Sequence, residues 1–497
     1  MKKLNNHLCN YKKGYLSLLL FLLIFCILGL PFTRWGFRSD DWGNIWHSVI
    51  RRWKDIIVFF TDGRSLDDFC YPSGYKTITP SFFCGLYRPM SLVYLSPQYL
   101  LFSTHAYGYF LLTIAIHAVS SVLLFHIFSL FTNLTMAFLA ATFFGFHPSQ
   151  WTWIGWISAQ TYNIELLVLL IIILLLKIYI DKQKLWAYLL ACLLFCSNIF
   201  LHEQTFFLPL WLLFAIPFYE KDIINRPHSY FKSIKKAFII TFPLFALSFF
   251  YLLVRLHFFP LTANTATLTF QPTWQSFKMR MMERVYDFVT FIVDMFGLTA
   301  LPKNNHLLKA SLIIIIFFTL VWFFIKSNKK KFVLFLACSI PLFGWPAILM
   351  HNQTRYYYIA LPLFITLVIL LLPIQKLKRT GQRIAVFAIV IFINTNALFL
   401  FHDLKRREGL YHPVTKAFKH LVKDKRTNNR TICFIDLPQE THLFGACAQA
   451  VWLLRGKNDH PVFSISQPKL EEQYPKFNPL YVQWDDYKKN FIILDRL

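Results

Sequence analysis

Eleven apolar runs divide this chain, most of them 16 to 22 residues long, and they leave little room for a fold that avoids a lipid bilayer. A helix needs about 20 apolar residues to cross the hydrocarbon layer. The runs are Tyr15–Phe32, Tyr109–Leu130, Thr135–Phe146, Ile164–Ile180, Leu185–Leu201, Phe206–Phe218, Ala237–Leu256, Ala310–Ile325, Phe332–Met350, Tyr357–Ile374 and Ile384–Phe401. The third and sixth are short and need flanking residues or a thinned bilayer to span. Only 15% of residues are charged, against about 25% in soluble proteins. That excludes disorder, a coiled coil and an ordinary cytosolic enzyme. The expected class is an all-α polytopic membrane protein of about eleven transmembrane helices.

The 51 Lys and Arg outnumber the 25 Asp and Glu. On a soluble chain that excess would point to nucleic acid. Here the basic residues cluster in short loops between apolar runs, the pattern of cytoplasmic membrane loops, and no nucleic-acid partner is expected. Lys2, Lys3, Lys12 and Lys13 place the N-terminus in the cytoplasm. Four later clusters fall on the same side, around Lys177–Lys184, Lys221–Lys236, Lys326–Lys331 and Lys376–Arg383. This requires the apolar segment Met281–Ala300, which carries Glu283, Arg284, Asp287 and Asp294, to lie on the external interface as an amphipathic helix. The C-terminus is then extracytoplasmic. No small-residue cleavage site follows Leu30-Pro31-Phe32, so the first span is expected to be a retained anchor.

Three external regions are long enough to hold chemistry: a first loop at 33–107, a second at 257–309, and a tail at 402–497. The tail has 16 Lys and Arg and 11 Asp and Glu, a soluble composition, with strand-like runs at Thr431–Ile435 and Phe491–Leu494. It is expected to be a small α/β extracytoplasmic domain following a membrane module at 1–401. The nine Cys show no CxxC pair and no Cys/His metal spacing. Cys70 and Cys84 share the first external loop, which permits a disulfide.

Ionisable residues beside apolar runs are costly and mark candidate sites. Asp40 and Asp41 follow the first span. Two adjacent carboxylates at an anchored helix end suit a general base, and the competing reading is a helix cap at Ser39 or Asp40. Arg88 opens an apolar stretch, either as a fork for phosphate or as a snorkelling anchor. His117 lies within a span, where an interhelical hydrogen bond is the commoner role. His147 ends the third run and leads to Trp151, Trp153 and Trp156, which form an interfacial belt or line a sugar or lipid pocket. His202-Glu203 makes a tight external turn, with Glu203 either solvated or facing the same cavity as Asp40 and Asp41. Arg355 and Tyr356 begin a span at its external end, where an Arg opposes both the positive-inside bias and the helix dipole, and an anionic partner is favoured.

In order, Asp40-Asp41, Tyr87-Arg88-Pro89, Ile116-His117-Ala118-Val119-Ser120, and Phe146-His147-Pro148 with Trp156-Ile157-Ser158 form a pattern. It resembles the GT-C superfamily of membrane glycosyltransferases, nearest the protein O-mannosyltransferase and TMTC-like enzymes of glycosyltransferase family 39. His202-Glu203-Gln204 through Pro209, and Arg355-Tyr356 through Pro362, are weaker echoes. The resemblance covers residues 1 to about 401. It implies an inverting transfer from a polyprenyl-phosphate sugar, with Asp40 or Asp41 as base and Arg355 and Arg88 on the donor phosphate. It places His147, His202, Glu203, Trp151 and Tyr356 around the cavity. The implied partners are the lipid-linked donor, the bilayer, and a glycan, lipid or protein acceptor. The paired Asp can hold a divalent cation, with no third ligand to name. The composition fits an AT-rich bacterial genome, hence an inner-membrane location. The competing classes are a glycan polymerase or ligase acting on pyrophosphate-linked oligosaccharide, and a transporter or flippase.

Overall fold

The computed structural model describes residues 2–29, 36–50, 52–61, 88–130, 132–147, 154–219, 227–258, 330–349, 358–371 and 412–427, the strand segments near 432–435, 462–465, 480–485 and 488–494, and a few isolated positions between them. In chain order the helices are α1 (Lys2–Gly29), α2 (Ser39–His47), α3 (Lys54–Thr61), α4 (Pro89–Phe102), α5 (Ala106–Phe128) and α6 (Leu134–Gly145). They continue with α7 (Gln160–Lys182), α8 (Leu185–Leu201), α9 (Leu208–Tyr219), α10 (Pro227–Phe258), α11 (Lys330–Leu349) and α12 (Ala360–Leu371). Helix α13 covers 412–423. Short 3-10 turns at Ile157–Ala159 and Glu203–Phe207 lead into α7 and α9.

Nine of the eleven apolar runs coincide with helices among the described residues, and α8 has the bounds the apolar run predicts. The run at Ile384–Phe401, most of Ala310–Ile325, the segment Met281–Ala300 and the Cys70/Cys84 loop lie outside the described residues, so the count of eleven is not established. Among the described residues, three helical stretches are long and apolar enough to cross a membrane: Ala106–Phe128, Ile157–Lys182 and Ser233–His257.

The way these helices divide their surfaces explains their packing. In α8 Ala187, Ala191, Phe195 and Ile199, one every four positions, are fully buried, while Leu185, Leu189 and Leu193 on the other side are exposed. The same division recurs in α1, where Leu20, Ile24 and Leu28 are buried and Leu18, Leu19 and Leu22 are not. In α10, Ala237, Ile240, Leu244 and Tyr251 face inward and Phe238, Phe242, Phe249 and Leu253 face outward. Apolar faces this extended are not stable in water, and lipid is the solvent that suits them. Side-chain hydrogen bonds join the helices on the inner side. Ser17 meets His126 at 3.0 Å, Tyr188 donates to the Ile240 carbonyl at 2.8 Å, and Trp211 donates to Ser339 at 2.9 Å.

His117 is the most connected of these groups. It is fully buried in α5. Its Nε2 lies 3.0 Å from the Gly145 carbonyl, which can only accept, so Nε2 carries the proton. Nδ1 then accepts from the Tyr358 hydroxyl at 2.6 Å. One imidazole thereby joins α5, the end of α6 and the segment entering α12, the interhelical role expected from its place within a span.

Beyond the membrane helices lies a four-stranded sheet of order β2-β1-β3-β4. Its strands are β1 (Ile432–Ile435), β2 (Val462–Ile465), β3 (Leu480–Asp485) and β4 (Asn490–Leu494). The first three are parallel and β4 is antiparallel to β3. The turn into β4 is set by Asp485, which accepts from the Lys488 amide at 3.0 Å, and by Lys489 at φ 49°. Helix α13 buries Val414, Ala417, Phe418 and Leu421, the spacing of one helix face, and Phe418 packs on Phe434 and Phe491 of the sheet.

Replacing His117 by Leu orphans the Gly145 carbonyl and the Tyr358 hydroxyl. We expect a loss of about 1–3 kcal/mol, seen as a lower thermal midpoint in detergent, with Tyr358→Phe, which breaks one bond, losing less.

Candidate functional site

The acidic motif sits at the start of α2. Arg38 is the residue before the helix, in extended conformation, and its N–H donates to Asp41 Oδ2 at 2.9 Å. Asp41 thus supplies from the third helical position the cap that the sequence assigned to Ser39 or Asp40. Its other oxygen, Oδ1, accepts from the Ser158 N–H at 2.8 Å and the Ser158 hydroxyl at 2.9 Å. Asn44, one turn on, donates to the Ser158 Oγ at 2.7 Å. The Arg38 guanidinium carbon lies 4.6 Å from the centroid of the Trp156 ring. Two motifs 117 residues apart in sequence are therefore one structure. Asp41 is 0% exposed, and three donors hold its carboxylate. The Asp40 backbone belongs to α2, while its side chain lies outside the described residues.

A second polar cluster forms where the start of α4, the start of α7 and the α8–α9 turn meet. Arg88 places its fork on Glu203, Nε to Oε2 at 2.9 Å and Nη2 to Oε1 at 2.6 Å. The side chains are 14% and 6% exposed, so Glu203 is not the solvated turn residue that its position allows. Burial pushes the Glu203 carboxyl up, but the Arg88 guanidinium and His202 outweigh burial and hold it well below the usual carboxylate range. His202 Nδ1 lies 3.1 Å from Glu165 Oε2, both side chains fully buried. Glu165 Oε1 accepts from the Thr205 amide at 3.0 Å, and the Tyr162 ring lies tilted against the His202 ring with centroids 4.4 Å apart.

Between the two clusters, Gln98 of α4 donates to Gln160 Oε1 at 2.8 Å. The first turns of α7 thus carry Gln160, Asn163 and Glu165 into the interior. Sequence reasoning passed over Glu165 and Gln160. The available signal was Glu165 itself, one acidic residue at the head of an otherwise apolar run.

Of the expected site residues, Asp41, Arg88, His202 and Glu203 fall in these clusters. His147 is fully buried after α6, with its ring 5.3 Å from the Phe143 ring. Trp151, Arg355 and Tyr356 lie outside the described residues. Among the described residues no three His, Cys, Asp or Glu side chains converge as metal ligands.

No protein-family model matches this chain, and no curated protein is similar enough to match. Among solved structures, the chain is similar to the Archaeoglobus fulgidus oligosaccharyltransferase tethered through a disulfide to an acceptor peptide containing the NVT sequon. The likeness has a TM-score of 0.45 at 10% identity and covers 92% of this chain. The chain spans 65% of that protein's length.

The bidentate pair makes a prediction of its own. Glu203→Gln leaves the Arg88 guanidinium buried without its counter-charge and should cost about 3–5 kcal/mol. The double change Arg88→Met with Glu203→Leu should be less damaging than either single change, measured by chemical or thermal unfolding in detergent. Because the Glu203 carboxyl is held low, its contribution to stability is full above the ordinary Glu range. It is lost progressively as pH falls from the ordinary Glu range to the depressed value.

Proposed function

We propose that this chain is a GT-C-type membrane glycosyltransferase. In this reading it moves a sugar from a polyprenyl-phosphate donor to an acceptor hydroxyl on the extracytoplasmic side. The observation that carries the reading is the tie between Asp41 and Ser158. Two short motifs that carry the sequence resemblance are joined by direct hydrogen bonds. The membrane module is 1–401 and the extracytoplasmic domain 402–497, with the N-terminus in the cytoplasm of a bacterial inner membrane.

The two carboxylates divide the work. Asp41, with three donors and no exposure, anchors the loop. Asp40 is the general base: it takes the proton of the acceptor hydroxyl as that oxygen attacks the anomeric carbon. The bond from the anomeric carbon to the phosphate oxygen breaks, and the lipid phosphate leaves with the electron pair. Arg355 stabilises the charge that grows on the leaving phosphate. Arg88, committed to Glu203 through two of its nitrogens, supports the cavity wall with His202 rather than clamping the phosphate. The sequence resemblance assigns His147, Trp151 and Tyr356 to the substrate cavity.

The test is sugar release from a radiolabelled polyprenyl-phosphate hexose by purified protein in lipid, with an envelope extract as acceptor. Asp40→Asn should lower turnover by about 10²–10⁴-fold with the fold intact. Arg355→Ala should lower turnover with little change in donor KM, and Asp41→Asn should lower stability as well as rate. Wild-type turnover in Asp40→Asn sinks the mechanism. Turnover only with pyrophosphate-linked oligosaccharide points to a polymerase or ligase instead.

A further inference from the structure

The residues on either side of Asp40-Asp41 are held by the C-terminal region. The Phe37 amide, in a residue 1% exposed, donates to the Thr415 hydroxyl of α13 at 3.0 Å across 378 positions of sequence. The next amide, that of Arg38, is the one that donates to Asp41. Trp42, immediately after Asp41, packs edge-on against Phe37 at 4.6 Å and against Phe418 at 6.1 Å. Thr415 and Phe418 are three positions apart on α13 and so share one face. Phe418 rests in turn on Phe434 of β1 and Phe491 of β4. On the membrane side, Phe37 meets Tyr109 of α5 at 5.7 Å, and Tyr109 meets Phe102 of α4 at 5.5 Å.

We infer that α13 is a clamp through which the C-terminal domain sets the position of Asp41 and of the backbone that carries its neighbour Asp40. Thr415 and Phe418 are its positioning residues. The inference rests on the reading of Asp40 as the general base and Asp41 as its anchor. Thr415 accepts from the buried Phe37 amide, and that bond fixes the peptide leading to Arg38. Phe418 closes over Trp42 from the opposite side of the carboxylates in sequence. Whatever loads or shifts the sheet reaches Asp41 through two contacts on one helix. Thr415 and Phe418 act through the Phe37 amide and the Trp42 ring, and no short-range sequence signal links position 415 to position 37.

Amide hydrogen exchange on the full-length protein in lipid nanodiscs tests the clamp without requiring activity. Thr415→Val keeps the shape and removes the acceptor. Exchange across 37–47 should accelerate about tenfold, while β3 and β4 keep wild-type rates and Thr415→Ser restores the segment. Phe418→Leu should loosen the same segment. In the transfer assay Thr415→Val should lower kcat and leave donor KM unchanged. Wild-type exchange at 37–47 in both variants overturns the inference. So does acceleration spread equally over the sheet, which marks a domain loosened as a whole. Coupled exchange in a protein that transfers no sugar supports the clamp and overturns only the enzyme reading.

Discussion

A carboxylate taken fully out of water has to be repaid in hydrogen bonds, and at Asp41 that requirement organises the surrounding chain. Arg38 supplies one N–H, and Ser158 supplies an N–H and a hydroxyl. Because Ser158 lies 117 residues beyond Asp41, satisfying the charge forces the start of α2 against the entry to α7. The Arg88–Glu203 pair obeys the same rule at the α4 and α8 ends, with a guanidinium in place of amides and a hydroxyl. Burial within the protein leaves little water to relieve either group, so both joints form as the helices assemble.

The helices were legible because the bilayer imposes a length and a composition on them, independent of what each helix touches. Leu185–Leu201 shows this best: its apolar run and its helix have the same ends. The strands at 432–435 and 490–494 were visible as β-branched and aromatic runs in an otherwise polar tail. Partners were not legible. Arg88 carries the same sequence signal whether it snorkels, binds phosphate or pairs with Glu203, and only the fold brings the α8–α9 turn to it. Glu165 went unnoticed because it is a single residue inside an apolar run, and its counterpart His202 lies a whole hairpin away. The cap of α2 was misplaced for a local reason. Ser39 and Asp40 are good cap residues by type, yet the carboxylate of Asp41 reaches back to the Arg38 amide and fills the role from inside the helix.

Hydrogen bonds and aromatic contacts hold this region in different ways. Ring packing from Phe491 through Phe418, Trp42 and Phe37 to Tyr109 supplies area and cohesion, but the attraction between ring edges and faces tolerates tilts of tens of degrees. A hydrogen bond weakens steeply once its angle falls below about 120°. The orientation of the segment before Asp41 is therefore fixed by the Phe37–Thr415 and Arg38–Asp41 bonds, while the rings keep the domain seated over it. A ring of similar size can be exchanged with a modest change in cohesion. Exchange of Thr415 for an apolar residue takes the acceptor from the buried Phe37 amide, and exchange of Ser158 removes one of the two donors to Asp41 Oδ1, leaving the Ser158 amide to hold it.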